Sequence, residues 1–155
     1  MIKTAELSPC RQYRYELWRI WDESKPYVMF IGLNPSTADE IEDDPTIRRC
    51  IKYGESWGYG GICMCNLFAY RATEPKVMLS ARDPVGSSND EALTRISKNA
   101  GIIVGAWGNH GIFLNRSTTV KQMLSNIYAL KLNASGEPSH PLYLKRSLRP
   151  TIPLS

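Results

Sequence analysis

Four groups of polar side chains follow apolar runs in this sequence, and each contains a residue type able to hold, polarise or protonate a ligand. Asn34 stands with Ser36 and Thr37 just after the run Val28-Met29-Phe30-Ile31-Gly32. Asn66 closes a second run and precedes Tyr70 and Arg71; Asn109 and His110 follow a third; Ser139 and His140 lie in a late proline-rich loop. An asparagine amide both donates and accepts, so it can seat a water or read the edge of a heterocycle, but it is no strong base. A histidine can donate to a developing negative charge, a contact worth about a hundred- to a thousandfold in rate where it acts. His110, between Gly108 and Gly111, either approaches a ligand closely or packs beside a tight turn.

These groups need a frame that brings them together. The run ending at Gly32 is rich in β-branched and aromatic residues and stops at the turn formers Asn34-Pro35-Ser36, which suits the central strand of a covered sheet. Asp44 then reads as an N-cap with Pro45 at the first helical position, and the helix runs to about Trp57, where Gly58 and Gly60 end it. Gly61–Leu67 is a second strand, Asn89-Asp90-Glu91 opens a helix to about Lys98, and Gly101–Gly108 is a third strand. A helix over Ser117–Asn126, a strand over Ile127–Leu132 and a loop over Gly136–Leu142 complete the order. Upstream, Tyr13, Tyr15, Leu17, Trp18 and Trp21 alternate with Arg11, Arg14, Glu16 and Arg19, as in a half-exposed strand or hairpin at a sheet edge. Strands alternating with helices predict an α/β three-layer sandwich with a mostly parallel central sheet. Strand ends in such a sheet face one edge, so one shared pocket is expected there.

With 155 residues, 43% of them hydrophobic, the chain suits one domain, residues 1–155, with a substantial core. Nineteen Lys and Arg against fifteen Asp and Glu give a net charge of +4, which permits phosphate contacts without requiring them. The first residues lack the apolar stretch of a signal peptide and no run approaches a bilayer span, so a cytoplasmic protein with no membrane partner is expected. Cys10, Cys50, Cys63 and Cys65 are then expected as reduced thiols. Cys63 and Cys65 share one strand face and lack the tighter spacing of a metal knuckle; they read as small core residues, and neither a metal nor a cofactor site is assigned.

Motifs along most of the chain resemble the family catalogued as domain of unknown function 1643. They are Gly-Leu-Asn-Pro-Ser-Thr-Ala-Asp from Gly32, Asp-Pro-Thr-Ile-Arg-Arg from Asp44, Asn-Leu-Phe-Ala-Tyr-Arg-Ala-Thr from Asn66, Asp83-Pro84-Val85-Gly86, Ala106-Trp107-Gly108-Asn109-His110-Gly111 and His140-Pro141-Leu142-Tyr143. A Gly-x-Asn-Pro turn after the first core strand, an Asn closing the next and a late Ser-His-Pro loop are also similar to the uracil-DNA glycosylase superfamily, particularly its mismatch-specific branch. That resemblance implies a glycosylase-like fold and N-glycosidic hydrolysis on a nucleobase of DNA, modified or not. It implies that Asn34 positions the water, Asn66 reads the extruded pyrimidine and His140 stabilises the leaving oxyanion. Gly32, Pro35, Ser36, Tyr70, Arg71, Trp107 and His110 are candidate substrate contacts.

This chain departs from the glycosylase pattern after the first motif, where a stacking aromatic is usual and Asp44-Pro45-Thr46-Ile47-Arg48-Arg49 stands instead. Trp107, Phe68 or Tyr70 would have to supply a stacking face, or else serve as core. Arg48 and Arg49 are candidate phosphate ligands or an exposed basic helix face. Lys145, Arg146 and Arg149 would follow a nucleic-acid backbone or remain solvated. No residue is identified as the wedge that would fill a vacated base stack. A non-catalytic module binding a nucleotide or nucleic acid, and an enzyme of phage DNA base modification, are the competing readings; DNA or a nucleotide is the partner in each.

Overall fold

The computed structural model describes residues 1–155, and its strands join in one sheet. β1 (Ile2–Leu7) and β2 (Arg14–Ile20) form an antiparallel hairpin, followed by β3 (Tyr27–Gly32), β4 (Gly61–Asn66), β5 (Ile102–Gly105), β6 (Ile127–Ala129) and the short β7 (Ile152–Pro153). The spatial order is β1-β2-β4-β3-β5-β6-β7. β3 is central, as its apolar run predicts, and pairs in parallel with β4 on one side and β5 on the other; β5 and β6 are also parallel.

The sheet is mixed, which corrects the expectation of a mostly parallel one. β2 runs antiparallel to β4, and β7 antiparallel to β6, so both flanks reverse direction around the parallel centre. β2 turns back into β3 without an intervening helix, and no α-helix lies between β6 and β7, so each flank runs against the parallel centre, where the connections are helical crossovers. β2 also lies one strand in from the edge, because β1 covers it. Arg14, Glu16 and Arg19 are therefore buried, against the half-exposed edge strand expected from their alternation with aromatics.

Helices cover both faces. α1 (Pro45–Ser56) packs Ile47, Cys50, Ile51 and Tyr53 on Val28, Phe30, Ile62, Met64 and Val104. On the opposite face α2 (Pro75–Leu79), α3 (Asn89–Ser97) and α4 (Arg116–Met123) bring Met78, Ala92, Leu93, Ile96 and Val120 against Met29, Ile31, Cys63, Cys65 and Ile103. Successive strand residues alternate between these two clusters, the period of two that separates the faces of a strand. Cys63 and Cys65 share a face, with Sγ atoms 3.8 Å apart, and burial pushes the Cys63 thiol well up, so it stays protonated in the core. No helix is long and apolar enough to cross a membrane.

α1 starts where expected. Asp44 accepts from the Ile47 amide at 2.9 Å, Pro45 occupies the first turn, and the preceding loop is fastened by Arg19, which donates to Asp43 Oδ1 and to the carbonyls of Asp39 and Glu42. The fourth helix ends at Met123, short of the predicted Asn126, because Leu124 turns extended and Asn126 takes a positive φ of 62°; the following strand ends at Ala129, short of the predicted Leu132.

Candidate functional site

Beyond the carboxyl ends of β3, β4 and β5 opens a cleft of about 500 Å³. The turn after β3 supplies Gly32, Asn34, Pro35 and Ser36; the end of β4 supplies Asn66; the segment after β5 supplies Trp107 and His110; the late loop supplies His140. Three residues far apart in sequence, Asn34, Asn66 and His140, thus line a single cavity. Arg14 from β2, Asp44 and Thr46 from the start of α1, and Met64 from β4 complete its wall.

Asn34 is oriented by three backbone carbonyls. Its Nδ2 donates to Ala72 O at 2.9 Å, Pro35 O at 3.1 Å and Tyr70 O at 3.4 Å, which ties the turn after β3 to the loop after β4. Because carbonyls accept only, the amide nitrogen must face them, and Oδ1 is left without a protein donor. Arg71 makes the same connection from the other side, donating to the carbonyls of Ser36, Thr37 and Arg11. Arg71 and Tyr70 therefore buttress this turn and do not line the cleft; Tyr70 packs edge-on against Tyr13.

Asn66 is 4% exposed and held at both ends. Its carbonyl accepts from Asn89 Nδ2 at 3.0 Å, while its side-chain Oδ1 faces Arg14 Nη2 at 3.4 Å. A guanidinium only donates, so the amide must turn Oδ1 to Arg14 and leave Nδ2 as the group free to donate to a ligand. Gly32 makes room for this arrangement, since a Cβ there would lie 2.8 Å from Asn66 Nδ2.

His140 caps the short 3₁₀ turn Pro141–Tyr143 by accepting from the Leu142 amide through Nδ1 at 3.2 Å. Acceptance at Nδ1 places the proton of the neutral ring on Nε2, which is then a donor. His140 is exposed at the rim, but partial burial of the ring pushes its pKa below the ordinary value, against the opposing pull of Asp44. The loop is docked on α1 by Arg49, which donates from Nε and Nη2 to Leu142 O, and by Tyr53 Oη to Lys145 O.

Other predicted residues fall elsewhere. Trp107 borders the cleft but is only 1% exposed, with Nε1 bonded to the Glu137 carboxylate, and Phe68 is fully buried; both belong to the core and present no open stacking face. Arg48 and Arg49 lie outside the cleft: Arg48 is exposed, and Arg49 lines a separate groove of about 240 Å³ with Lys52, Tyr53, Ser56 and Arg146. Asn109 lines the cleft but its Oδ1 is occupied by Asn133 Nδ2 and Ser135 Oγ. Ser139 points its hydroxyl to Asn133 Oδ1. Beyond His110, Ile112 and Leu114 are exposed, and Leu114 and Asn115 both have positive φ, 52° and 57°.

The two charged residues of the wall escaped the sequence reading as site residues. Asp44 was legible as a helix cap, and it is also the one carboxylate on the cleft lining. Arg14 sits in a strand whose charged and aromatic residues alternate, and nothing local announces its burial.

A family model described as protein of unknown function (DUF1643) matches residues 14–142, most of the chain, which therefore belongs to that family. No curated protein and no solved structure matches it.

Proposed function

We propose that this cleft receives a nucleobase and that the chain hydrolyses its N-glycosidic bond, in DNA or in a nucleotide, in the manner of the uracil-DNA glycosylases. The observation that carries the reading is the meeting of Asn34, Asn66 and His140 in one cavity, each with the atom this chemistry needs left free. Asn34 Oδ1 accepts from a water. Asn66 Nδ2 donates to an oxygen of the base, and His140 Nε2–H donates to the oxygen on which negative charge grows as the bond breaks. The bonding pair leaves with the base, the water oxygen bonds to the sugar carbon, and the proton shed by the water ends on the departed base or on Asp44. Donors fixed before the reaction need no reorganisation at the transition state, the condition under which such contacts accelerate most.

DNA as the polymer partner is supported by the basic groove beside the cleft, where none of Arg49, Lys52 and Arg146 is paired with a carboxylate. Backbone contacts of this kind would make affinity fall as salt rises. A second reading, a nucleotide-binding module without chemistry, draws on the burial of Trp107 and on the use of the Asn34 amide as a loop tie.

Oligonucleotides carrying uracil or hypermodified pyrimidines, incubated with excess protein and assayed for free base by mass spectrometry, separate the two. Base release that is lost in His140→Asn while binding persists supports hydrolysis. Binding of an intact nucleotide with no release across all these substrates supports the module.

A further inference from the structure

Three arginines are buried in this fold, and two of them are paired with carboxylates. Arg19, 0% exposed, sets Nε 2.7 Å from Asp43 Oδ1 and spends its other nitrogens on three carbonyls. Arg116, 5% exposed, donates to Asp90 Oδ1 at 2.6 Å and to Leu67 O at 2.9 Å. Arg14, 2% exposed, has no carboxylate partner. Its Nη1 donates to Ala38 O at 3.0 Å, its Nη2 reaches Asn66 Oδ1 only at 3.4 Å, and its Nε has no partner at all.

A buried charge without a contacting counter-charge is strongly unfavourable, and Arg14 is such a charge, with Asp44 near enough to act on it but not to pair with it. Arg14 is the one buried arginine that lines the cleft. The groups beside it are also donors: Asn66 Nδ2, the neutral His140 through Nε2–H, and the positive end of the twelve-residue helix α1. Asp44 is the single carboxylate on that wall, and one of its oxygens is engaged by the Ile47 amide. Burial lowers the Arg14 pKa to about 10 against the opposing pull of Asp44, which lies beyond ion-pair distance, so the guanidinium remains charged at neutral pH.

We propose that Arg14 anchors an anion subsite in this cleft, which takes a compact oxyanion carried by the ligand, a phosphate or a carboxylate. The planar guanidinium matches either group through paired N–H donors. An entering oxygen supplies the missing counter-charge and replaces the long contact to Asn66 Oδ1. The subsite goes beyond base recognition and holds whether or not a glycosidic bond is cut, since it requires only that the ligand be anionic.

Thermal unfolding of the full chain at constant ionic strength tests this with sodium phosphate, sodium acetate, thymidine and thymidine 5′-monophosphate. The wild type gains Tm with phosphate and with the monophosphate above thymidine; a gain with acetate alone identifies the anion as a carboxylate. Arg14→Met, which retains an apolar stem, unfolds no earlier than wild type without ligand. It binds the stabilising anion roughly thirtyfold or more weakly by calorimetry, the loss expected when one member of a buried charge pair is removed. Should that variant not fold, Arg14→Lys and the wild-type arginine Nε–H signals in ¹⁵N NMR carry the test, with one such signal shifting as phosphate is added. The proposal is overturned if none of the anions stabilises the wild type. It is equally overturned if Arg14→Met loses stability yet binds anions as before, the signature of a purely structural arginine. Failure to release a base, with Arg14-dependent anion binding intact, counts against the glycosidic reading alone.

Discussion

Gly32→Ala should act almost entirely through Asn66. The new Cβ would lie 2.8 Å from Asn66 Nδ2, 3.7 Å from Met64 Sδ and 3.9 Å from Cys65 O, so only the amide is in conflict with it. Gly32 has no positive φ, and the backbone accepts alanine without strain. Overpacking a filled site costs about 1–3 kcal/mol, while replacing glycine in a compatible conformation returns about 0.4–1 kcal/mol through the unfolded chain. The net destabilisation expected is therefore about 1–2 kcal/mol, with the amide driven from its place between Gly32 and Arg14. Truncating the amide removes the conflict: in an Asn66→Ala background the same Gly32→Ala change should be neutral or stabilising. Urea unfolding of wild type, both single variants and the double variant gives the coupling, expected at about 1–2 kcal/mol. Independent sites add to within about 0.3–0.5 kcal/mol, so additivity at that level would refute the claim that Gly32 exists to seat Asn66.

Three further outcomes follow from the same geometry. Asp44→Ala should lower stability by about 1 kcal/mol through loss of the α1 cap, and Asp44→Asn should restore most of it because asparagine caps equally well; chemical denaturation of the pair decides this. His140 is held below its ordinary pKa of 6.5, so the unfolded chain binds its proton first: stability is fully present above about pH 6.5 and falls as the pH drops from there towards the folded pKa. His140→Asn, which can still accept from the Leu142 amide, should flatten the His140 contribution to unfolding free energy in that window, and an unchanged slope would show that the ring is not desolvated. Gly111→Ala should move the indole of Trp107, because the added Cβ would lie 2.2 Å from Trp107 Cδ1. A shifted tryptophan emission together with a loss of about 1–3 kcal/mol is expected, and an unperturbed spectrum would contradict the packing.

The parts of this molecule that the sequence announces are those whose partners are close in the chain or dictated by period. β3, β4 and β5 are apolar runs that stop at turn formers, and Asp44-Pro45 marks the start of α1 because cap and capped amide lie three residues apart. From strands that end together it follows that Asn34 and Asn66 share an edge, and the late loop brings His140 to the same place. The flanks were opaque for the opposite reason. β7 has two residues and no pattern of its own, and the direction of β2 depends on its pairing with β4, whose residues lie more than forty positions away.

Burial of charge is the least local property of all. Glu16 is inside because Arg95 comes from α3 to meet it at 2.5 Å, and Arg19 because the loop before α1 delivers Asp43. Read along β2 alone, three charged side chains alternating with aromatics have no reason to leave water. Arg14 is the extreme case, since it forms no ion pair within the chain and Asp44, on the same cleft wall, acts on it only from beyond contact distance. If the oxyanion of a ligand completes that pair, the information that explains Arg14 was never in the polypeptide, and a reading confined to the polypeptide had to pass it over. The same argument makes an unpaired buried guanidinium on a cleft wall a better pointer to ligand chemistry than the asparagines. Asn34 is half explained by the loop it ties, whereas the fold gives the charge on Arg14 no ion-pair partner.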